Sequence, residues 1–249
     1  MTTDDVVVDV SQDWVLACDV QQRFMQGLGR TSDSVNYSAL CRQVRALAGD
    51  CMPLTNDRLA LVVGDASGKG VAAALMIASV QSSLRTAALF MGDDLATLLK
   101  VVNLQAYASS LADRYATVFY GIFDRATRTL RYVNAGHTPP VVLRRNGSID
   151  TLEMGGAPIG MFPDSSYEEG VVQLDPGDLV LTYTDGVIEA ENQSGEEWGV
   201  QGLLNATAAW ARQGNENAEH LVRSIFNSMD DFSRECPMDD TTLAVLRVL

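Results

Sequence analysis

Residues 59–78, LALVVGDASGKGVAAALMIA, constrain this chain more than any other stretch. The apolar run 59–63 is short and unbroken, as in a strand buried on both faces. From Val71 the sequence is too rich in alanine and methionine for a strand and reads as helix. Gly68 and Gly70 mark the bend between the two, and Asp65 stands where the strand gives way to it. Such a turn sets a strand-end carboxylate and free backbone groups at the edge of a sheet, where ligands commonly bind.

Two glycine-loop motifs compete for this stretch. A phosphate-cradling loop needs G-x-x-x-x-G-K-[ST]; here the spacing from Gly64 to Gly68 is one residue short, and Gly70 replaces the hydroxyl residue that would hold magnesium. Gly68, Gly70 and Ala73 do match the dinucleotide pattern G-x-G-x-x-A. That motif should be followed about 20 residues on by a parallel strand with an acidic tip, whereas this chain runs into a second helix over 94–111. The plainest alternative is that the glycines only let a helix pack closely on a strand.

At 249 residues and 47% hydrophobic, the chain has ample core for one large domain, 31–249, after an N-terminal segment, 1–30. No run approaches the roughly 18 apolar residues that span a bilayer. The acidic start MTTDDVVVDV lacks the basic-then-apolar pattern of a signal peptide, so a cytoplasmic protein is expected. Cys18, Cys41, Cys51 and Cys236 show no CxxC spacing and read as reduced packing residues. A net charge of −14 argues against nucleic acid or an anionic membrane as partner and suits carboxylates that bind cations.

Residues 13–28 carry Trp14, Cys18, Val20, Phe24, Met25 and Leu28 at helical spacing. This helix lies on its own domain or pairs with a regulator or a second copy, giving a homodimer. Residues 31–36 read as a polar linker and 37–48 as an irregular strand ending in Gly49-Asp50, with a turn over 53–57. Further strands are expected at 115–123, 129–134, 141–143, 171–174, 179–183 and 242–248, and helices at 202–212 and 218–232. The order of strands, helix pair, strands, helix pair and last strand is that of an α+β protein with antiparallel-rich sheets flanked by helix pairs.

Asp50, Asp65, Asp185 and Asp239 all fall at expected strand ends or adjoining turns. If they converge, each carboxylate pair repels by ~4 kcal/mol at 4 Å and an effective dielectric near 20, so the cluster requires cations or protons. Oxygen ligands without His or Cys favour Mg²⁺ or Mn²⁺. Two such ions would activate a bridging water and clamp a phosphate, a hydrolytic site without a nucleophilic side chain. Each aspartate taken alone reads first as a turn or capping residue, and the weight rests on their joint spacing.

Gly49-Asp50, VVGDASGKGVAAALM at 62–76, Asn103, RYATVFYGIFD at 114–124, YVNAGHTPP at 132–140, TYTDGVIEAEN at 182–192 and DDTTLAVLR at 239–247 together resemble the bacterial PPM/PP2C-type serine phosphatases, in particular the SpoIIE/RsbU group. The resemblance covers 37–249 in order, and VQQRFMQ at 20–26 is similar to the helix preceding the catalytic domain in that group. It implies an αββα sandwich that hydrolyses phosphoserine or phosphothreonine through a metal-bridging hydroxide. Asp65 would bridge two divalent cations, Mn²⁺ or Mg²⁺. The Ala66 carbonyl and Asp50 would complete the first, and Asp185 and Asp239 the second; Asp240 is the adjacent position. The substrates it implies are phosphorylated STAS-domain anti-anti-sigma proteins.

Where many relatives have a histidine two residues after the bridging aspartate, this chain has Ser67, so water is expected to protonate the leaving serine. His137 is a catalytic acid or a turn-stabilising residue; Lys69 attracts phosphate or is merely solvated; Asn103 and Asn134 read as structural. The group's first motif resembles GGDYYD, and this chain has AGDCMP at 48–53, which keeps Asp50 but loses a glycine, both aromatics and the second acid. That change motivates a competing expectation, a pseudophosphatase that binds a partner with little turnover. No sensor domain is expected ahead of the catalytic part, so control would come through the Trp14 helix, a partner or a missing segment of a longer parent.

Overall fold

The computed structural model describes residues 30–31, 34–42, 47–54, 57–68, 70–91, 93–110, 114–214, 217–233 and 241–249, with 30–31 and 47–53 described in their backbone alone. The expected N-terminal helix, Lys69, Asp239 and Asp240 lie outside the described residues. In chain order the elements are β1 (Arg30–Thr31), β2 (Val35–Arg42), β3 (Leu47–Pro53), β4 (Arg58–Ala66), α1 (Val71–Met91), α2 (Leu95–Ser109), β5 (Ala116–Asp124) and β6 (Thr129–Ala135). They continue with β7 (Val141–Leu143), β8 (Ile149–Thr151), β9 (Gly155–Gly156), β10 (Gly170–Gln173), β11 (Leu179–Tyr183), α3 (Asp185–Ile188), α4 (Gly199–Ala211), α5 (Ala218–Ser233) and β12 (Thr241–Val248).

Strand alternation makes each central strand serve two cores. In β4, Leu59, Leu61 and Val63 pack between the sheets, while Ala60, Val62 and Ala66 pack under α1 and α2. In β12, Ala244, Leu246 and Val248 face the inter-sheet core and Leu243 and Val245 face α4 and α5. One sheet runs β1-β2-β12-β11-β7-β8 and the other β10-β6-β5-β4-β3, with β9 parallel to β6 as an offshoot. The result is the expected αββα sandwich: helix pair, two mostly antiparallel sheets, helix pair.

Local chemistry explains several boundaries. Asp94 caps α2, its carboxylate accepting the Thr97 N–H at 2.9 Å. Asp124 closes the β5–β6 hairpin by accepting the Ala126 and Thr127 N–H groups at 3.0 Å each. Three expectations need correction. Residues 31–36 are not only a linker, because Thr31 belongs to β1, Val35 and Asn36 open β2, and Val35 is fully buried. The single strand expected over 37–48 is two strands, and Asp50 lies inside β3 rather than at its end. Pro53 is the reason β3 reads as finished too early: β3 is an edge strand, where a residue without an N–H is tolerated.

The third correction concerns hydropathy. α1 is 21 residues long with an 18-residue window of mean hydropathy 1.3, so one helix is long and apolar enough to cross a membrane. Counting unbroken apolar runs missed it because Ser79, Gln81, Ser82 and Ser83 interrupt the run without lowering the mean enough. Ala73, Ile77, Val80 and Leu84 of this helix are buried in the core beneath it, while Leu75, Leu89 and Phe90 are exposed.

Candidate active site at one end of the sandwich

β4 pairs with β5 through its last residue, with Ala66 opposite Ala116 and Asp65 opposite Thr117. Its pairing with β3 ends one residue sooner, at Asp65 opposite Leu47. Asp65 therefore sits half-buried at the penultimate position of a central strand whose ladder is running out on one side. Ser67 then donates its N–H to the Tyr115 carbonyl at 2.8 Å and accepts the Tyr115 N–H on Oγ at 3.0 Å. The described chain has no cis peptide bond. In a trans peptide C=O and N–H point in opposite directions, so the Ala66 carbonyl, which shares its peptide with the Ser67 N–H, is turned away from β5.

Thr117, opposite Asp65, places Oγ1 3.2 Å from His137 Nδ1. Asn134 holds the turn carrying that histidine: Oδ1 accepts the His137 N–H at 2.7 Å, and Nδ2 donates to the His137 carbonyl at 3.0 Å and the Leu152 carbonyl at 3.2 Å. His137 is 5% exposed, and burial pushes its imidazole down to about 4. Nε2 makes no well-formed hydrogen bond, which leaves the Tyr183 backbone as a weak counterweight favouring the charged form. His137 is therefore neutral at pH 7; the bonds that hold its turn run from Asn134 to its backbone, while its ring meets Thr117. The folded value lies below the ordinary 6.5, so between pH 6.5 and 4 only the unfolded chain takes up this proton and stability falls with pH. We expect the stability difference between the natural chain and His137→Gln to narrow by about 2–3 kcal/mol from pH 7 to pH 4.5. Urea unfolding in chelator measures it, and an unchanged difference would mean that the imidazole is not buried neutral.

Across the sandwich, β11 ends at Tyr183 and Asp185 opens α3 with an exposed side chain, its Oδ1 accepting the Gly186 N–H at 2.8 Å. Thr184 is fully buried and stitched to the start of β12, donating its N–H to the Thr242 carbonyl at 3.1 Å and accepting the Thr242 N–H on Oγ1 at 2.9 Å. The described part of β12 thus begins beside Asp185, one residue after the Asp239-Asp240 pair. The β3–β4 register puts Asp50 opposite Val62, three residues along from the Leu47–Asp65 pair.

Asp65 and Asp185 come to the same end of the molecule, linked through Thr117, His137 and the Tyr183 backbone. Among the described residues no three His, Cys, Asp or Glu side chains form a metal-binding group. Asp65, the Ala66 carbonyl and Asp185 are nonetheless all-oxygen donors, the set that suits a hard divalent cation. Sequence reasoning singled out neither Thr117 nor Arg114, whose Nη1 donates to the Ser67 carbonyl at 2.8 Å. Both lie in the 114–124 stretch read for its strand pattern, and nothing local distinguishes them. Asn103 reads from the sequence as a structural residue. It is fully buried, donates to the Phe162 carbonyl and accepts the Gly160 N–H, each at 2.8 Å.

With two helix-flanked sheets and aspartates at one end, the architecture is that of a PP2C-type phosphatase domain. Residues 55–249 match the family described as Stage II sporulation protein E (SpoIIE), and the chain belongs to that family. It is 29% identical over 256 residues to Protein IcfG of Synechocystis sp., covering 90% of this chain and 39% of that protein. It is 25% identical over 250 residues to phosphoserine phosphatase RsbU of Bacillus subtilis, covering 96% of this chain and 71% of RsbU. The SiaA-PP2C domain of Pseudomonas aeruginosa superimposes with a TM-score of 0.72 at 19% identity, covering 96% of each chain. RsbX, solved in complex with magnesium, gives 0.66 at 14% identity, covering 89% of this chain and 98% of RsbX.

Proposed function

We propose that this chain is a metal-dependent protein phosphatase that removes phosphate from phosphoserine or phosphothreonine on a partner protein in the cytoplasm, a STAS-domain regulator of the anti-anti-sigma type. The observation that carries this reading is Asp65 at the end of β4, followed by a carbonyl turned out of the ladder, in a chain of this family. The name of RsbU supports phosphoserine as the target, and RsbX with magnesium supports a divalent cation in this fold. Asp65 would bridge two Mn²⁺ or Mg²⁺ ions, the Ala66 carbonyl and Asp50 would complete one, and Asp185 and Asp239 the other. Two such cations, when bound, supply an activated water and neutralise charge on the transferring phosphoryl group. Asp65 sits at the end of β4 and Asp185 at the start of α3, so that little reorganisation of these two carboxylates would accompany the reaction. Ser67 carries no titratable proton near neutral pH, so the leaving serine takes its proton from water.

The test is hydrolysis of p-nitrophenyl phosphate with Mn²⁺, with and without chelator, for the natural chain and Asp185→Asn, followed by phosphate release from a phosphorylated STAS-domain protein. Turnover should vanish in chelator and fall about 100-fold or more in Asp185→Asn, a loss of about 3 kcal/mol. Mn²⁺ binding without turnover on either substrate would replace the enzyme with a partner-binding scaffold, the reading that the altered AGDCMP segment motivates.

A further inference from the structure

The proposed bridging residue, Asp65, is followed within three residues by a glycine turn, yet Ser67 between them is fixed on several sides. Its N–H and Oγ both engage Tyr115, and its carbonyl accepts from Arg114 Nη1 at 2.8 Å. Two successive peptide planes are thereby set from one short stretch of the neighbouring strand's approach. The Tyr115 bonds orient the plane carrying the Ala66 carbonyl, and the Arg114 bond orients the plane between Ser67 and Gly68. Gly68, at φ +85°, makes room for this contact, since a Cβ there would fall 1.6 Å from Arg114 Nη1. Arg114 is half-buried, and no ion pair to it occurs among the described residues, so its guanidinium is spent on a backbone carbonyl rather than on a carboxylate.

We propose that Arg114 is a positioning residue that sets the aim of the Asp65–Ala66 metal-binding loop through the Ser67 carbonyl. The inference rests on the metal-dependent reading above. A neutral amide at 114 loses the charge-assisted bond and frees the Ser67–Gly68 peptide, so Ser67 is held through its N–H and Oγ alone and the turn that fixes the Asp65–Ala66 end of β4 loosens. Lysine keeps the charge without the planar fork and should restore part of the effect.

Isothermal titration of Mn²⁺ into the natural chain, Arg114→Gln and Arg114→Lys tests this, with the thermal midpoint of each metal-free chain measured alongside. Outer partners that orient metal ligands typically contribute about 10–100-fold in metal affinity, so Arg114→Gln should bind Mn²⁺ at least about 10-fold more weakly, with Arg114→Lys between the two. Metal-free midpoints should stay together. Unchanged Mn²⁺ affinity in Arg114→Gln would overturn the proposal, and so would a fall in the metal-free midpoint large enough to account for the weaker binding. Failure of the natural chain itself to bind Mn²⁺ would instead overturn the underlying reading, and the inference with it.

Discussion

If the metal-dependent function proposed above holds, Asp65→Asn is expected to lower Mn²⁺-dependent turnover by about 1,000-fold or more, because a ligand shared by two cations would contribute several kcal/mol of charge stabilisation and each 1.36 kcal/mol is tenfold. The substitution is nearly isosteric, and Asp65 is half-buried on a strand whose ladder with β5 is unaffected by the side chain. Removing one negative charge from a chain of net charge −14 also relieves repulsion around the site when no metal is present. The metal-free variant should therefore unfold at the same temperature as the natural metal-free chain or slightly above it. The added stability conferred by Mn²⁺ on the natural chain should disappear, since a ligand that binds only the folded state stabilises in proportion to its occupancy. Calorimetric scans with and without Mn²⁺, beside turnover of p-nitrophenyl phosphate, separate this from damage to the fold. A variant that keeps its metal-induced shift would remove Asp65 from the ligand set.

The strands and helices were legible because their signals are periodic and local, while the αββα sandwich was what the family resemblance implied. Strand β4 announces burial on both faces by an unbroken apolar run, and the hairpin of β5 and β6 announces itself through Asp124 and the turn after it. Helices α2, α4 and α5 were found within three residues of their observed ends. The features that escaped are set by distant partners. Strand β1 is two residues long and exists through pairing with β2. Strand β8 is exposed and pairs only with β7, and β9 is a glycine pair whose partner lies 21 residues earlier. The short helix at Asp185 is too brief to show a period. At the candidate site, the aspartates stood out because carboxylate beside glycine is a recognisable pattern. The groups near them, Thr117 and Arg114, meet His137 and Ser67 through side-chain contacts spanning 20 and 47 residues, which no local pattern encodes.

Gly155→Ala is expected to be strongly destabilising, because among the described glycines its added methyl would make the closest approach to backbone atoms. A Cβ on Gly155 would meet the Asn134 carbonyl oxygen at 1.8 Å, its carbon at 2.4 Å and the Asn134 nitrogen at 2.6 Å, all backbone atoms that no rotamer change can move. Its backbone does not lie in the left-handed region, so glycine is required here by space alone. The methyl must push β9 off β6. That detaches the Asn134 N–H bond to the Met154 carbonyl, the Glu168 N–H bond to the Gly155 carbonyl and the packing of Pro158 on Gly136. The pull then reaches the Ala116–Ile159 pair, which extends the sheet beside Ala66. Losing this set should cost about 3 kcal/mol or more, within the range that backbone overpacking produces. Gly147→Ala supplies the contrast: it lies at φ +86° with nothing within 4 Å, so it incurs only the left-handed penalty of about 1 kcal/mol. Urea unfolding of both variants should place Gly155→Ala at least about 2 kcal/mol below Gly147→Ala. Equal stabilities would mean that β9 is not packed against β6 in solution, and that the segment flanking the His137 turn is free to move relative to the candidate site.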